Sequence, residues 1–533
     1  MKSLVSLTFS IMLISCFSLM NACSSSNGSS NNNNPPNNPV CGNGVCESGE
    51  NHASCPGDCP ENPVCGNGVC DSGESHVSCP GDCPAPKFCT SVAITPESAK
   101  IFEGDTARFT ADCSWSDSTA SDCTDDVNLA WGFTGALVQD DVQKNLFTGK
   151  TRGGSAQVRA TYNDNANPAL VDAATVDIFA VTPISAGASH SCALTHQRGI
   201  KCWGRNNFGQ LGDGYISDRL GPTSVFGLSS GTRSVSGGGA HTCALTTSGI
   251  VKCWGYNAWG EIGDGTTVDR NIPVNVIGFV AEMIAVIAGG HGCALDSSGG
   301  LKCWGRNNYG QLGDGTTIER HTPVDVVGLA SGVKTVSGGG TNSCAVNSSG
   351  AVKCWGYNFN GQLGDGTTID RLTPVDVSGL NSGISAVSVG LAYACALTDS
   401  GGVKCWGFNY RGELGNGSTV NSSVPVDVVG LSSGVTSISA GNGHTCAVIS
   451  SGGVKCWGFN YYGQLGDGTT ANSSVPVGVY RLSSGVTAIT AGGAHTCALT
   501  NAGGVKCWGY NKFGQVGDGT IINRKVPVDV YLR

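Results

Sequence analysis

Fourteen of the 27 cysteines recur as seven pairs ten positions apart: Cys192 with Cys202, Cys243 with Cys253, Cys293 with Cys303, Cys344 with Cys354, Cys395 with Cys405, Cys446 with Cys456, and Cys497 with Cys507. Each pair brackets a segment such as ALTTSGIVK, whose Ser-Gly centre reads as a hairpin turn. In an antiparallel hairpin folded there, the two cysteines lie opposite each other on one face, within reach of an S–S bond. Seven disulfides are therefore expected, each worth roughly 2–3 kcal/mol in the loop-entropy account. Such bonds persist in oxidising compartments, and the export signal described below leads to the same expectation. The spacing does not fit zinc, since no second Cys/His pair follows at ligand distance.

Other chemistry-bearing residues repeat in step. His190, His241, His291, His444 and His495 share one position, Lys201, Lys252, Lys302, Lys353, Lys404, Lys455 and Lys506 another, and Asp213, Asp264, Asp314, Asp365, Asp467 and Asp518 a third. Catalysis needs one convergent cluster, whereas repeats deliver symmetric copies. Structural roles are expected instead: histidines that hold a turn, and lysines and aspartates that pair between repeats or cap turns. No catalytic residue, metal or cofactor is nominated.

Binding is expected where the repeats differ. A short loop after each Trp-Gly-x-Asn carries Phe208, Trp259, Tyr309, Phe359, Tyr410, Tyr461, Tyr462 and Phe513, and aromatic residues dominate binding hot spots. Packing between repeats is the competing role for these rings. Repeats four and five depart furthest, with Asn342 and Tyr393 in place of histidine, Glu413 for Gln, Asn416 for Asp, and an added Arg411. That arc, including Tyr393, Arg411 and Glu413, is the expected docking place.

The elements that position these residues follow from the period. Cys-x-Trp-Gly recurs at 202, 253, 303, 354, 405, 456 and 507, with spacings of 51 and one of 50. A period near 50 marks a propeller or solenoid. Each repeat holds four strand-length runs, PVxV, a run ending in Ala-Gly, HTCAL and VKCWG, with the glycine-rich GQLGDGTT as connecting loop. Strand alternation puts Cys and Leu of HTCAL on one face and Ala on the other, and sets Trp of VKCWG opposite its Cys, so both faces are apolar. The first repeat starts at Ile184 without a preceding PVxV, and the last ends in Pro527-Val528-Asp529-Val530. The terminal strand is therefore expected to slot into the first blade and close the ring.

This repeat resembles the regulator of chromosome condensation repeat over about 350 residues. Kelch repeats would show a Gly-Gly doublet ahead of spaced Tyr and Trp, and WD repeats a terminal Trp-Asp. The resemblance implies an all-β, seven-bladed β-propeller over 182–533. Its family includes an exchange factor for the GTPase Ran, a plant ultraviolet-B photoreceptor and a secreted β-lactamase inhibitor, which share only the use of a propeller rim as a binding face.

The remaining chain reads as export machinery and spacers. Residues 1–22 have a Lys at position 2 and an apolar stretch from Leu4 to Met20, a signal-peptide pattern. Asn21-Ala22-Cys23 resembles the lipobox of bacterial lipoproteins, which implies acylation of Cys23; Cys16 is a weaker competitor, and Ser24 favours the outer membrane. Residues 23–40 form a polar tether. Residues 41–86 hold two Cys-rich repeats offset by 24, a unit too small to fold without staples. Their acids Glu47, Glu50, Asp58, Asp71, Glu74 and Asp82 are weak calcium candidates or solvated turn residues. Residues 88–180 show short alternating runs, a small β-sandwich signal, and resemble bacterial immunoglobulin-like domains. Cys113 and Cys123 are expected to pair, leaving Cys89 without a mate.

A net charge of −9 with no Lys/Arg block removes the term that dominates nucleic-acid affinity. The expected function is a monomeric, non-catalytic cell-surface lipoprotein whose propeller binds an extracellular or envelope protein or glycan, touching the membrane only through its anchor. An enzyme acting on extracellular polymers is the first alternative. Nucleotide exchange, implied by the family, is the second.

Overall fold

The computed structural model describes residues 89–532, apart from short segments between 103 and 182. The chain falls into two compact units, 1–88 with 115–118, and 89–114 with 119–533, and the described residues belong almost wholly to the second. The signal segment, Cys23, the tether, the Cys-rich repeats and the six calcium candidates lie outside the described residues.

Residues 89–179 form three small sheets. One joins Cys89–Thr95, Thr110–Trp115 and Ala120–Asp122, and a second joins Ser98–Phe102, Leu170–Phe179, Gly154–Tyr162 and Leu129–Thr134. The third joins Thr106–Arg108, Leu146–Gly149 and Leu137–Gln139. Val92, Ile94, Phe109, Ala111, Val158, Ala160 and Ala174 are buried there, and Cys113 and Cys123 form a disulfide. Cys89 opens the first strand.

From Ile184 onward the chain makes seven four-stranded antiparallel sheets, each from consecutive strands of one repeat. In the second repeat these are Thr232–Gly237, His241–Thr246, Val251–Gly255 and Arg270–Asn275. The two cysteines of every repeat face each other in register across the central hairpin. All seven expected disulfides are formed. Cys192 is bonded to Cys202, Cys243 to Cys253, Cys293 to Cys303 and Cys344 to Cys354. In the last three repeats Cys395 is bonded to Cys405, Cys446 to Cys456 and Cys497 to Cys507. Their burial is complete, so these sulfurs serve the sheet interior and are closed to any partner.

Successive sheets stack through the seven Cys-x-Trp-Gly tryptophans, all fully buried. Each indole faces the preceding repeat and lies over its GQLG loop, where a Cβ on Gly212 would come within 2.6 Å of Trp254 Nε1. The same glycine has φ +70, so both space and backbone require glycine there.

Closure differs from the expectation. The terminal strand Arg524–Val530 pairs with Val505–Gly509 of its own repeat, and the first sheet supplies its own outer strand, Arg219–Ser224. No strand crosses over among the described residues. First and last sheets meet instead by the same contacts that join the others: Trp203 Nε1 donates to the Gln515 carbonyl at 3.0 Å, and Ser191 Oγ to the same oxygen at 2.9 Å. A complete sheet per repeat lets this junction be made like the others, so no exchanged strand is needed.

Candidate binding face

Each junction between repeats is built from the Trp and, in most repeats, from a histidine and a Ser or Thr hydroxyl. At the first junction Thr242 Oγ1 donates to the Gln210 carbonyl at 2.8 Å, and Trp254 Nε1 donates to that carbonyl at 3.0 Å. Having given its one proton away, the hydroxyl must accept from His190 Nε2–H, 2.8 Å off. The histidine is thereby fixed as the neutral tautomer with the proton on Nε2. His291 with Ser343, His444 with Thr496 and His495 with Ser191 repeat the arrangement. At the second junction Gly292 takes the place of the hydroxyl, and His241 Nε2 is buried without a partner. Burial holds these histidines far below the ordinary value, at about 3, and His241 at about 4. None is a proton carrier at neutral pH. The structural role expected of them agrees with this geometry.

The other two rings are also local. Lys302, Lys353, Lys404 and Lys506 pair with Asp325, Asp376, Asp427 and Asp529 on the outer strand of the same sheet, so the expected pairing between repeats is corrected: the lysine faces its own third-to-fourth strand ladder. The aspartates cap turns. Asp264 accepts from Thr266 N and Oγ1 and from Arg270; burial would raise its pKa, but Thr266 and Arg270 hold it below the usual value.

The loop residues expected to bind divide into two sets. Phe208, Tyr309, Tyr462 and Phe513 are half-buried and bridge to the next repeat. Phe208 packs edge-on to Tyr256 at 4.9 Å, Tyr309 lies 4.6 Å from Tyr357 and Tyr462 4.5 Å from Tyr510, while Arg205 sits 4.8 Å over Phe513. Trp259, 40% exposed, lies under Arg306, and Arg411 covers Phe459 at 4.4 Å. These contacts favour the packing role for that position. Sequence reasoning missed their partners, the x of Trp-Gly-x-Asn, although aromatic or Arg at all seven repeats was a signal.

One position earlier in the loop, Phe359, Tyr410 and Tyr461 are 71%, 78% and 68% exposed. Each stacks on the Trp-Gly-x residue of its own repeat: Tyr357, Phe408 and Phe459. They occupy consecutive repeats four, five and six.

Two candidates are corrected. Tyr393 is fully buried, its hydroxyl donating to the His444 carbonyl at 2.6 Å and lying 3.0 Å from Thr445 Oγ1, so it substitutes for histidine inside the junction. Glu413 is also buried, and its carboxylate accepts from Arg411 N at 2.8 Å. Burial raises its pKa, and carries that of Glu261 to about 7. Neither Tyr393 nor Glu413 can touch a partner directly.

A channel opens where the seven inner strands end. It is lined by glycine and alanine backbone with Val389, Leu391 and Asn442, and its lining contains no acid, base or nucleophile. Among the described residues no group of His, Cys, Asp and Glu could hold a metal.

A closed set of repeat sheets with recurring junctions and variable loops defines a β-propeller scaffold. Models of the RCC1-like domain match residues 282–532, and those of the regulator of chromosome condensation (RCC1) repeat match 181–210, 233–260 and 202–245. The ultraviolet-B receptor UVR8 of Arabidopsis thaliana is 34% identical over 352 residues, 65% of this chain and 69% of the receptor. The probable E3 ubiquitin-protein ligase HERC4 of Homo sapiens is 37% identical over 62% of this chain, which spans only 32% of the ligase. Among solved structures, Prp20p of Saccharomyces cerevisiae aligns over 63% of this chain and 87% of its own, with TM-score 0.56 and 22% identity, and so shares the fold. The chain belongs to the regulator of chromosome condensation repeat family.

Proposed function

We propose that this chain is an exported, lipid-anchored binding protein, whose seven sheets act as the blades of one closed propeller that presents a loop face to a protein or glycan outside the cytoplasm. The single observation that carries this reading is the clustering of exposed rings. Seven near-identical repeats leave large aromatic side chains open to solvent at one loop position in three consecutive repeats, Phe359, Tyr410 and Tyr461. Exposed aromatic area of this kind is costly in water and is kept where a partner covers it. The buried disulfides support residence in an oxidising compartment. Residues 1–22 serve as signal, Cys23 as the acylated anchor in the outer membrane, 23–40 and 41–86 as tether and spacer, and 88–180 as an immunoglobulin-like stalk.

Relatives make protein binding a natural use of the scaffold: the yeast RCC1, Prp20, has been seen bound to Kap60, and Prp20p is described by its binding to Gsp1p and histones. The receptor and ligase activities of the other relatives are not carried over. The channel, with no titratable group in its lining, favours binding over catalysis.

The test is capture from envelope extracts by the full chain and by a Phe359→Ala, Tyr410→Ala, Tyr461→Ala variant, with Cys23→Ala followed by membrane fractionation. Loss of capture by the triple variant and release of the Cys23 variant into the soluble fraction are expected. Equal capture by both would overturn the loop-face reading.

A further inference from the structure

The arc of exposed rings is distinguished by more than its aromatics: in repeats five and six the neighbouring turn has lost its Arg–Asp pair, although Asp467 and the exposed Arg411 remain. In repeats one to four and seven an arginine closes the GDG turn by pairing with its aspartate, as Arg371 does with Asp365 and Arg524 with Asp518. In repeats five and six that arginine is Ser422 and Ser473, whose hydroxyls donate to the carbonyls of Val424 and Val475 two residues along. The aspartate becomes Asn416 in repeat five. The acid that receives the loop amide, Asp370 in repeat four, becomes Asn421 and Asn472. Repeat seven has Asn523 at that place too but keeps its Arg524–Asp518 pair, so only repeats five and six combine the amide with loss of the arginine.

Hydrogen bonds and ring contacts make the arc continuous. Asn421 accepts from the backbone of Asn409, next to Tyr410, and donates through Nδ2 to Asn360 Oδ1 at 3.3 Å, next to Phe359. One amide therefore sits between the first two rings. From Tyr410 the surface passes through Arg411, stacked on Phe459, to Tyr461, which stacks on the same ring.

We propose that this arc binds an uncharged chain of hexopyranose units, each exposed ring serving as the platform for one sugar. This rests on the reading of the propeller as a binding module and names its ligand class. A pyranose presents a flat face of C–H groups and an edge of hydroxyls that both donate and accept. Phe359, Tyr410 and Tyr461 offer flat apolar faces held by the rings beneath them, which lowers the entropy cost of presenting them. Asn421 and Asn472 supply donors and acceptors together, as hydroxyls require and carboxylates do not. A charged partner would be better served by the paired arginine and aspartate that the other repeats keep and both of these lack. The three-repeat length matches a linear chain rather than a single sugar.

The experiment titrates the full chain with gluco-, manno- and galacto-configured hexasaccharides by calorimetry, beside sulfated counterparts. Binding of at least one neutral hexasaccharide is expected, weakened about tenfold by Tyr410→Ala and by each of Phe359→Ala and Tyr461→Ala, corresponding to the loss of one hot-spot contact. Lys512→Ala and Asn207→Ala, at the same loop position in repeats seven and one, are expected to leave affinity within about twofold, as is a rise in salt, because no ion pair is involved. No binding by any neutral hexasaccharide, or binding indifferent to all three rings, overturns the proposal. If the ring variants lose capture of an envelope protein while no sugar binds, the ligand class falls and the binding module stands. If they lose neither, both fall.

Discussion

The junction between repeats six and seven and that between repeats four and five are made from the same positions, yet only the first is complete. At six to seven, His444 bonds Thr496, Thr496 and Trp508 share the Gln464 carbonyl, Asn442 N donates to Gly492 O, and Tyr462 packs on Tyr510. At four to five, Trp406 still reaches the Gln362 carbonyl and Val389 N still reaches Ser337 Oγ. The rest has gone: Asn342 stands for histidine and Ala394 for the hydroxyl, and Asn360 occupies the place from which Tyr462 packs on its neighbour. Both polar atoms of the Asn342 side chain are buried without a partner among the described residues. Repetition thus specifies stability, and the seam where it lapses lies within the arc of exposed rings. A ring whose other junctions keep more of these contacts tolerates one poorer seam, freeing those loop residues for another use.

Acid is the strongest way to separate the two kinds of junction. Five histidines are held neutral by burial, near 3 or 4 against an ordinary 6.5. Below pH 6.5 the unfolded chain therefore binds more protons than the folded one, and stability falls as pH drops from about 6.5 toward about 3. Glu261, raised to about 7, works the other way, losing stability as pH rises from about 4.5 through 7, and Glu413, also raised by burial, acts in the same direction, but these are two groups against five. Urea midpoints followed from pH 7 to 4 should decline steeply, while a flat profile would contradict the junction chemistry.

Next in size is the one latch every junction keeps. Trp406→Ala at the incomplete seam and Trp508→Ala at the complete one should each cost about 3–5 kcal/mol, through lost burial and a stranded carbonyl. A cost below about 1 kcal/mol for Trp406→Ala would show that the seam does not rest on its indole. The smallest effect is expected from repair. Asn360→Tyr restores the ring that other junctions place between repeats, with Phe408 as its counterpart, and should stabilise by about 0.5–1 kcal/mol, read as a raised thermal midpoint.

Much of this architecture was readable from residues. The ten-apart cysteines and the Trp at fixed offset specified hairpin, register and stacking, because disulfide geometry and strand alternation leave few alternatives. Other features were hidden by viewing each repeat separately. The serine or threonine after the histidine does its work across a junction, which no single repeat reveals. Tyr393 and Glu413 stood out as departures and were assigned to the surface. Their positions in HTCAL and GQLG are interior in every repeat, so the substitutions changed how a buried contact is made. The terminal PVDV strand invited an exchanged closure, yet the first repeat's less regular Arg219–Ser224 already filled that place.

One repeat position carries a working bond at the complete junction and an idle polar group at the seam. The decisive comparison is between His444→Ala and Asn342→Ala, by urea denaturation at pH 7. The first should lose about 1–3 kcal/mol, since a hydrogen bond and packing disappear together, and the second should be neutral or slightly stabilising, because it removes only unpaired buried groups. Equal losses at the two sites would contradict the claim.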